Sequence, residues 1–221
     1  MIKTVISLIA VGLAANAFGA AVADGTAAAS PSALTVSSSA KLLVSTSGSM
    51  SSGTFTANYI ENVYSDPTNE FCAGCLDWII RVSDTGGDAI EAVKASNFGG
   101  ALVDIGVNTN GVPAGGPSAG TVNPFTVDLS ASGNVVTWDF TGTGGANEIY
   151  SGDTSVLLEI ETNVKTYVPG YLNADDDLPA GVAAYGVGVG SVPEPMSLGL
   201  IGGGLAVLGV AGLRRRSRTG R

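Results

Sequence analysis

Leu76-Asp77-Trp78-Ile79-Ile80-Arg81-Val82-Ser83 decides the fold class. Read with the two-residue period of an extended chain, Leu76, Trp78, Ile80 and Val82 fall on one face and Asp77, Ile79, Arg81 and Ser83 on the other. Asn134-Val135-Val136-Thr137-Trp138-Asp139-Phe140 repeats the pattern and groups Val136, Trp138 and Phe140. Both tryptophans are therefore expected to face inward as core anchors rather than outward as carbohydrate platforms.

Working outward, β-branched and aromatic runs recur between Gly, Asn, Asp and Pro punctuation: 41–45, 53–64, 89–98, 101–108, 121–129, 155–162 and 182–189. With the two quoted segments these make about eight or nine strands, the spacing of an antiparallel β-sandwich. The fold class is all-β, and the sandwich is expected over residues 40–191. Helix is nearly absent, Asp88 to Ser96 being the one stretch that could form a turn or two. Residues 24–39, rich in Ala, Ser and Thr, read as a frayed low-complexity lead-in.

Composition narrows the chemistry. Of 221 residues only 13% are charged and 32 are glycine. Histidine is absent, which excludes the Ser-His-Asp triad, His-ligated catalytic zinc and haem with a proximal His. The net charge of −9 argues against a nucleic-acid partner, because binding phosphates takes a basic patch. Between Asp24 and Asp177 eighteen acidic residues face only Lys41, Arg81, Lys94 and Lys165. Such a surface repels anionic polymers unless divalent cations bridge them.

The two ends read as an address. Residues 1–23 carry Lys3, an apolar run from Val5 to Ala14 and the small residues Ala21-Val22-Ala23. That is the plan of a secretory signal peptide, with cleavage expected after Ala23. Its apolar run is too short for a bilayer that needs roughly 20 residues. At the other end, residues 192–221 hold Pro193-Glu194-Pro195, an apolar stretch over 196–213, and a basic tail over 214–221 with Arg214, Arg215, Arg216, Arg218 and Arg221. As a helix, the apolar stretch reaches about 27 Å, enough to cross a membrane once. The arginines mark the end that stays cytoplasmic, which places the preceding domain outside.

Pro-Glu-Pro, one apolar span and a terminal arginine cluster resemble the PEP-CTERM sorting signal of Gram-negative bacteria that make exopolysaccharide. The resemblance implies that an exosortase, a membrane-embedded cysteine transpeptidase, recognises Pro193, Glu194 and Pro195 and cuts there. Two prolines suit that role physically, since they hold an accessible, non-helical strand beside the membrane. The intervening domain is also similar to a recurrent PEP-CTERM ectodomain type, through Gly53-Thr54-Phe55, Asp77-Trp78, Thr137-Trp138-Asp139-Phe140 and the Gly152 turn into 155–162. That similarity implies a β-rich secreted domain without an assigned activity.

Few motifs carry chemistry. In an oxidising compartment Cys72-Ala73-Gly74-Cys75 is expected to close a local structural disulfide. Thioredoxin-like redox work needs a cysteine at a helix N-terminus, and Leu76 to Ser83 reads as strand. Gly116-Pro117-Ser118-Ala119-Gly120 matches a nucleophile elbow by letter but lacks a histidine partner and the strand-to-helix context. Ser38-Ser39-Ala40-Lys41 lacks the companion motifs of a Ser/Lys acylase, and 141–147 reads as a hairpin loop.

Asn173-Ala174-Asp175-Asp176-Asp177 offers hard oxygen ligands, so Asp175, Asp176 and Asp177 are weak calcium candidates that fail the EF-hand pattern. Glu159 and Glu161 share one strand face, about 7 Å apart, as a glycosidase pair could. No cofactor is implied.

The expectation is a non-enzymatic exported protein, processed by signal peptidase and the secretion machinery. It is held transiently in the inner membrane, sorted by an exosortase, and retained at the cell surface or in the exopolysaccharide matrix as a structural, biofilm-associated protein. The alternative is a lectin-like module that binds polysaccharide through Tyr59, Tyr64, Tyr167 or Tyr171, assisted by calcium.

Overall fold

The computed structural model describes residues 21–142 and 147–188. They form eleven strands and no helix. The strands are β1 (Ser32–Leu34), β2 (Lys41–Ser51), β3 (Phe55–Asp66), β4 (Cys75–Gly87), β5 (Ala92–Ser96) and β6 (Val103–Asn108), then β7 (Thr126–Leu129), β8 (Val135–Asp139), β9 (Leu158–Thr162), β10 (Tyr167–Asp175) and β11 (Ala180–Val187). A six-stranded sheet runs β1-β6-β9-β4-β3-β2 and a five-stranded sheet runs β11-β10-β5-β8-β7. Every pair is antiparallel except β1 with β6.

The two sheets face each other across one core, and the alternation in β4 and β8 supplies its centre. Trp78, Ile80 and Val82 of β4 pack with Val136 and Trp138 of β8 in a single buried cluster. Trp78 meets Phe98 edge to face, with ring centroids 5.3 Å apart. Trp138 donates its indole N–H across the interior to the Gly106 carbonyl at 2.9 Å. Burying one such side chain is worth roughly 1.5–3 kcal/mol, so these anchors dominate the packing.

Eleven strands stand where eight or nine were expected, and two were not anticipated. β10 contains Pro169 and Gly170, and both are accommodated. Pairing with β5 covers only Tyr171–Asp175, so Pro169 lies beyond its partner's end, where its missing N–H interrupts no ladder. β1 lies in the segment expected to be frayed. It pairs in register with β6 from Ser32↔Gly106 to Leu34↔Asn108, while Ala29 bridges Val127 on the other sheet. Short apolar residues at Leu34 and Val36, both buried, hold the segment down.

β2 also continues to Ser51, because the Ser52 side chain accepts the Thr54 and Phe55 amides and turns the chain into β3. The stretch 88–96 gives β5 and no helical turn. Among the described residues no helix is long and apolar enough to cross a membrane. The apolar run of the leader, residues 143–146 of the hairpin loop, Pro193-Glu194-Pro195, the span 196–213 and the arginine tail lie outside the described residues.

Candidate functional site: a buried carboxylate row

The outer face of the six-stranded sheet, where solvent-facing side chains were expected, carries buried acids. Asp77 of β4 stands opposite Glu161 of β9, and Glu161 stands opposite Asp104 of β6. Glu159 lies one step along β9, between Ile79 and Gly106. Asp66 closes β3. All five are at most 4% exposed. Beside them on the same face Val36, Ala40, Tyr64, Ile79 and Leu157 form a small buried apolar cluster, with Val112 packed against it.

Neutral groups satisfy part of this row. Asn69 Nδ2 donates to Asp77 Oδ1 at 2.5 Å, and Asn108 Nδ2 donates to Glu159 Oε2 at 2.9 Å. Asp104 Oδ1 accepts from Ser32 Oγ at 2.9 Å and from the Ile105 amide at 2.8 Å. Asp66 accepts from the Ser37 amide and from both N–H and O–H of Thr68. Backbone amides of Glu70 and Thr35 reach Glu161. Four buried oxygens are left without a partner: Asp77 Oδ2, Glu159 Oε1, Glu161 Oε2 and Asn108 Oδ1.

Among the described residues no basic side chain is paired with these acids. Arg81 Nη1 donates instead to the Ser118 carbonyl, and the one ion pair among the described residues joins Lys94 to Asp175. Loss of water, reinforced by neighbouring negative charge, pushes Asp77 up to about 9, Glu159 to about 8 and Glu161 to about 7. Asp104 is raised as well, chiefly by burial. Among the described residues no three His, Cys, Asp or Glu side chains already stand grouped as a metal cage.

The sequence-derived candidates are dispersed. Asp175 is committed to Lys94. Asp176 lies near Asp84, whose carboxyl is raised by burial and by the negative charge of Asp153 and Asp176. Asp177 sits in the β10–β11 turn at φ 49°, beside an open groove of about 510 Å³ lined by Glu91, Lys94, Asn173, Asp175, Asp177 and Pro179. Asp175 and Asp177 thus line one groove, while Asp176 is buried on the side of Asp84.

Cys72 and Cys75 are joined, with Cα atoms 5.3 Å apart, in the loop between β3 and β4. Gly74, at φ +78°, makes the return bend, and its amide bonds the Asp66 carbonyl at 2.7 Å.

Of the four tyrosines named as platforms, Tyr59 and Tyr64 are buried and Tyr167 packs edge to face on Tyr185. Only Tyr171, 64% exposed on the outer face of the five-stranded sheet, presents a free ring. Glu159 and Glu161 do share a face, but both are buried rather than set in a cleft. Sequence reasoning missed Asp66, Asp77, Asp104 and Asn108 as members of one site, because their proximity depends on strand order.

No protein-family model, no curated protein and no solved structure matches this chain.

Proposed function

We propose that the chain is an exported, non-enzymatic protein that an exosortase sorts to the cell surface or exopolysaccharide matrix, where its two-sheet domain has a structural role. The observation that carries this reading is Pro193-Glu194-Pro195 followed directly by the apolar run 196–213 and five arginines. On this reading signal peptidase removes 1–23, the C-terminal span moors the protein in the inner membrane as a helix, and exosortase cleavage releases the domain. One feature supports it: Cys72–Cys75 is a disulfide, suited to an oxidising compartment.

Mass spectrometry of both termini of the native protein tests the proposal. The expected result is an N-terminus near Asp24 and a C-terminus at or near Pro193–Pro195, with the uncut tail retained in Glu194→Ala. A cytosolic product with both ends intact overturns it.

A polysaccharide-binding reading is favoured by one observation, the exposed Tyr171 ring, whose strand carries Asn173 and Asp175 at the rim of the acidic groove. Retention of the wild type but not Tyr171→Ala on exopolysaccharide from the producing cell supports that reading. Equal retention of both removes it.

A further inference from the structure

Among the described residues the two sheets have four edges, and three of them are short or already engaged. β1 is only three residues long. The open side of β7 is taken by the lead-in chain: Ala29 exchanges both backbone hydrogen bonds with Val127, and the Leu129 amide donates to the Thr26 carbonyl. On β11 the Tyr185 amide donates to the Glu61 carboxyl, and the Ala183 carbonyl accepts the Tyr59 hydroxyl. β2 differs. It is eleven residues long, contains no proline, and among the described residues has no strand on its far side. Its bulge lies near the start, between Leu42 and Val44, and leaves 44–51 regular. An edge of that length and regularity is a template for another strand.

The β2–β3 hairpin determines which groups face the opening. The Ser52 amide donates to the Phe55 carbonyl at 3.0 Å. Groups aimed at the partner alternate along an antiparallel strand, so Val44, Thr46, Gly48 and Met50 bond to β3, while Ser45, Ser47, Ser49 and Ser51 turn their N–H and C=O outward. On the core face Val44 and Thr46 are only half-buried, which leaves the interior incompletely covered along this edge.

Charge and sequence select the occupant. The stretch 41–65 holds one acid, Glu61, and it is fully buried. A strongly acidic domain thus has a hairpin free of exposed carboxylates, where two copies can meet without like-charge repulsion. The strand also complements itself. About a two-fold axis at Ser47, an antiparallel second copy sets Ser47 against Ser47 and Ser45 against Ser49, while on the core face Val44 meets Met50 and Thr46 meets Gly48. Lys41, the strand's one charge, lies about 40 Å from its twin.

We infer that β2 is the docking edge for a second copy of this chain, whose own β2 adds antiparallel and makes one continuous sheet of the two larger sheets. Each facing pair of serines exchanges two backbone bonds, giving about six, within the roughly 5–15 of a typical interface. The second copy also covers Val44 and Thr46. The inference goes beyond sorting and stands whether or not an exosortase acts on the chain.

The test is light scattering of the purified exported protein from micromolar to millimolar concentration, with hydrogen exchange alongside. The expected result is a mass that doubles with concentration, and exchange at the Ser45, Ser47 and Ser49 amides that slows as the dimer forms. Ser47→Pro removes one outward N–H and none of the β3 ladder. It is expected to weaken association at least tenfold with circular dichroism unchanged. Ser47→Glu and Ser47→Lys each set like charges face to face and are expected to be monomeric. Mixed in equal amounts, they are expected to pair again.

A wild-type protein that is monomeric throughout overturns the inference, as does a dimer that persists in folded Ser47→Pro. Should Ser47→Pro fail to fold, the charge pair decides: a mixture of Ser47→Glu and Ser47→Lys that stays monomeric counts against the edge. Slow exchange at the three serine amides in a monomer assigns β2 to another segment of the same chain and equally overturns it.

Discussion

Glu61 of β3 points between the sheets, where its Oε2 accepts the backbone N–H of Tyr185 on β11 at 2.9 Å and its Oε1 has no partner. Burial pushes this carboxyl from 4.5 up to about 8, against a smaller opposing effect of the Tyr185 amide.

The sign of its contribution follows. Below pH 4.5 both folded and unfolded chains hold the proton. From there to about 8 only the folded chain keeps it, so stability falls as pH rises, by up to about 1.4 kcal/mol per pH unit. Glu61→Gln removes that slope. Urea midpoints of variant and wild type should agree near pH 4, and the variant should be the more stable at pH 8.5. Taking the difference between the two proteins isolates Glu61 from the carboxylate row, which titrates in the same direction. A difference that does not change with pH rejects the assignment.

Trp138 links the sheets by packing and by its bond to Gly106. Trp138→Phe keeps most of the apolar volume but leaves that carbonyl without the indole, at a cost of about 1–3 kcal/mol. Trp138→Ala, which also opens a cavity, should cost about 3–5 kcal/mol. Equilibrium denaturation separates the two, and equal losses would mean that the hydrogen bond contributes little.

Gly106 is where β1 makes its closest approach. A Cβ there meets the Ser32 carbonyl oxygen at 2.0 Å, a backbone atom that cannot swing aside. Gly106→Ala should therefore dislodge β1 and raise amide exchange at Ala33 and Leu34, with a destabilisation of about 1–3 kcal/mol. Early proteolytic clipping within 21–36 is the companion readout. Unchanged protection there would show that β1 is held by the apolar cluster around Val36 instead.

The Cys72–Cys75 bridge closes a very short loop, and the entropy removed from the unfolded chain is correspondingly small. A Cys72→Ser, Cys75→Ser protein should lose no more than about 2 kcal/mol. It should also keep the same near-UV spectrum from Trp78 and Trp138. A larger loss would point to the bridge fixing the Asn69 contact with Asp77.

How much was legible can be traced residue by residue. Trp78, Ile80, Val82, Val136 and Trp138 announced themselves because an extended chain with one buried face must alternate, and that pattern is local. Asp77 and Ile79 obey the same alternation, yet both are buried. Ile79 is covered by Val36, Ala40 and Val112, remote in sequence and unremarkable in type, and Asp77 is met by Asn69 from the β3–β4 loop. The carboxylate row was illegible for the same reason: Asp77, Asp104 and Glu161 become neighbours only through the order β6-β9-β4. Glu159 and Glu161 could be placed on one face from spacing alone, but their burial could not.

The placement of β1 and β9 sets the order in which this molecule can come into being. A ribosome releases Ser32 long before Gly106, its partner, and β9, which joins β6 to β4 in the middle of the larger sheet, emerges only at Leu158–Thr162. Contacts of such long sequence separation are slow to form. The larger sheet consequently stays divided between the consecutive β2-β3-β4 meander, which can pair early, and the β1-β6 edge, until β9 arrives to join them.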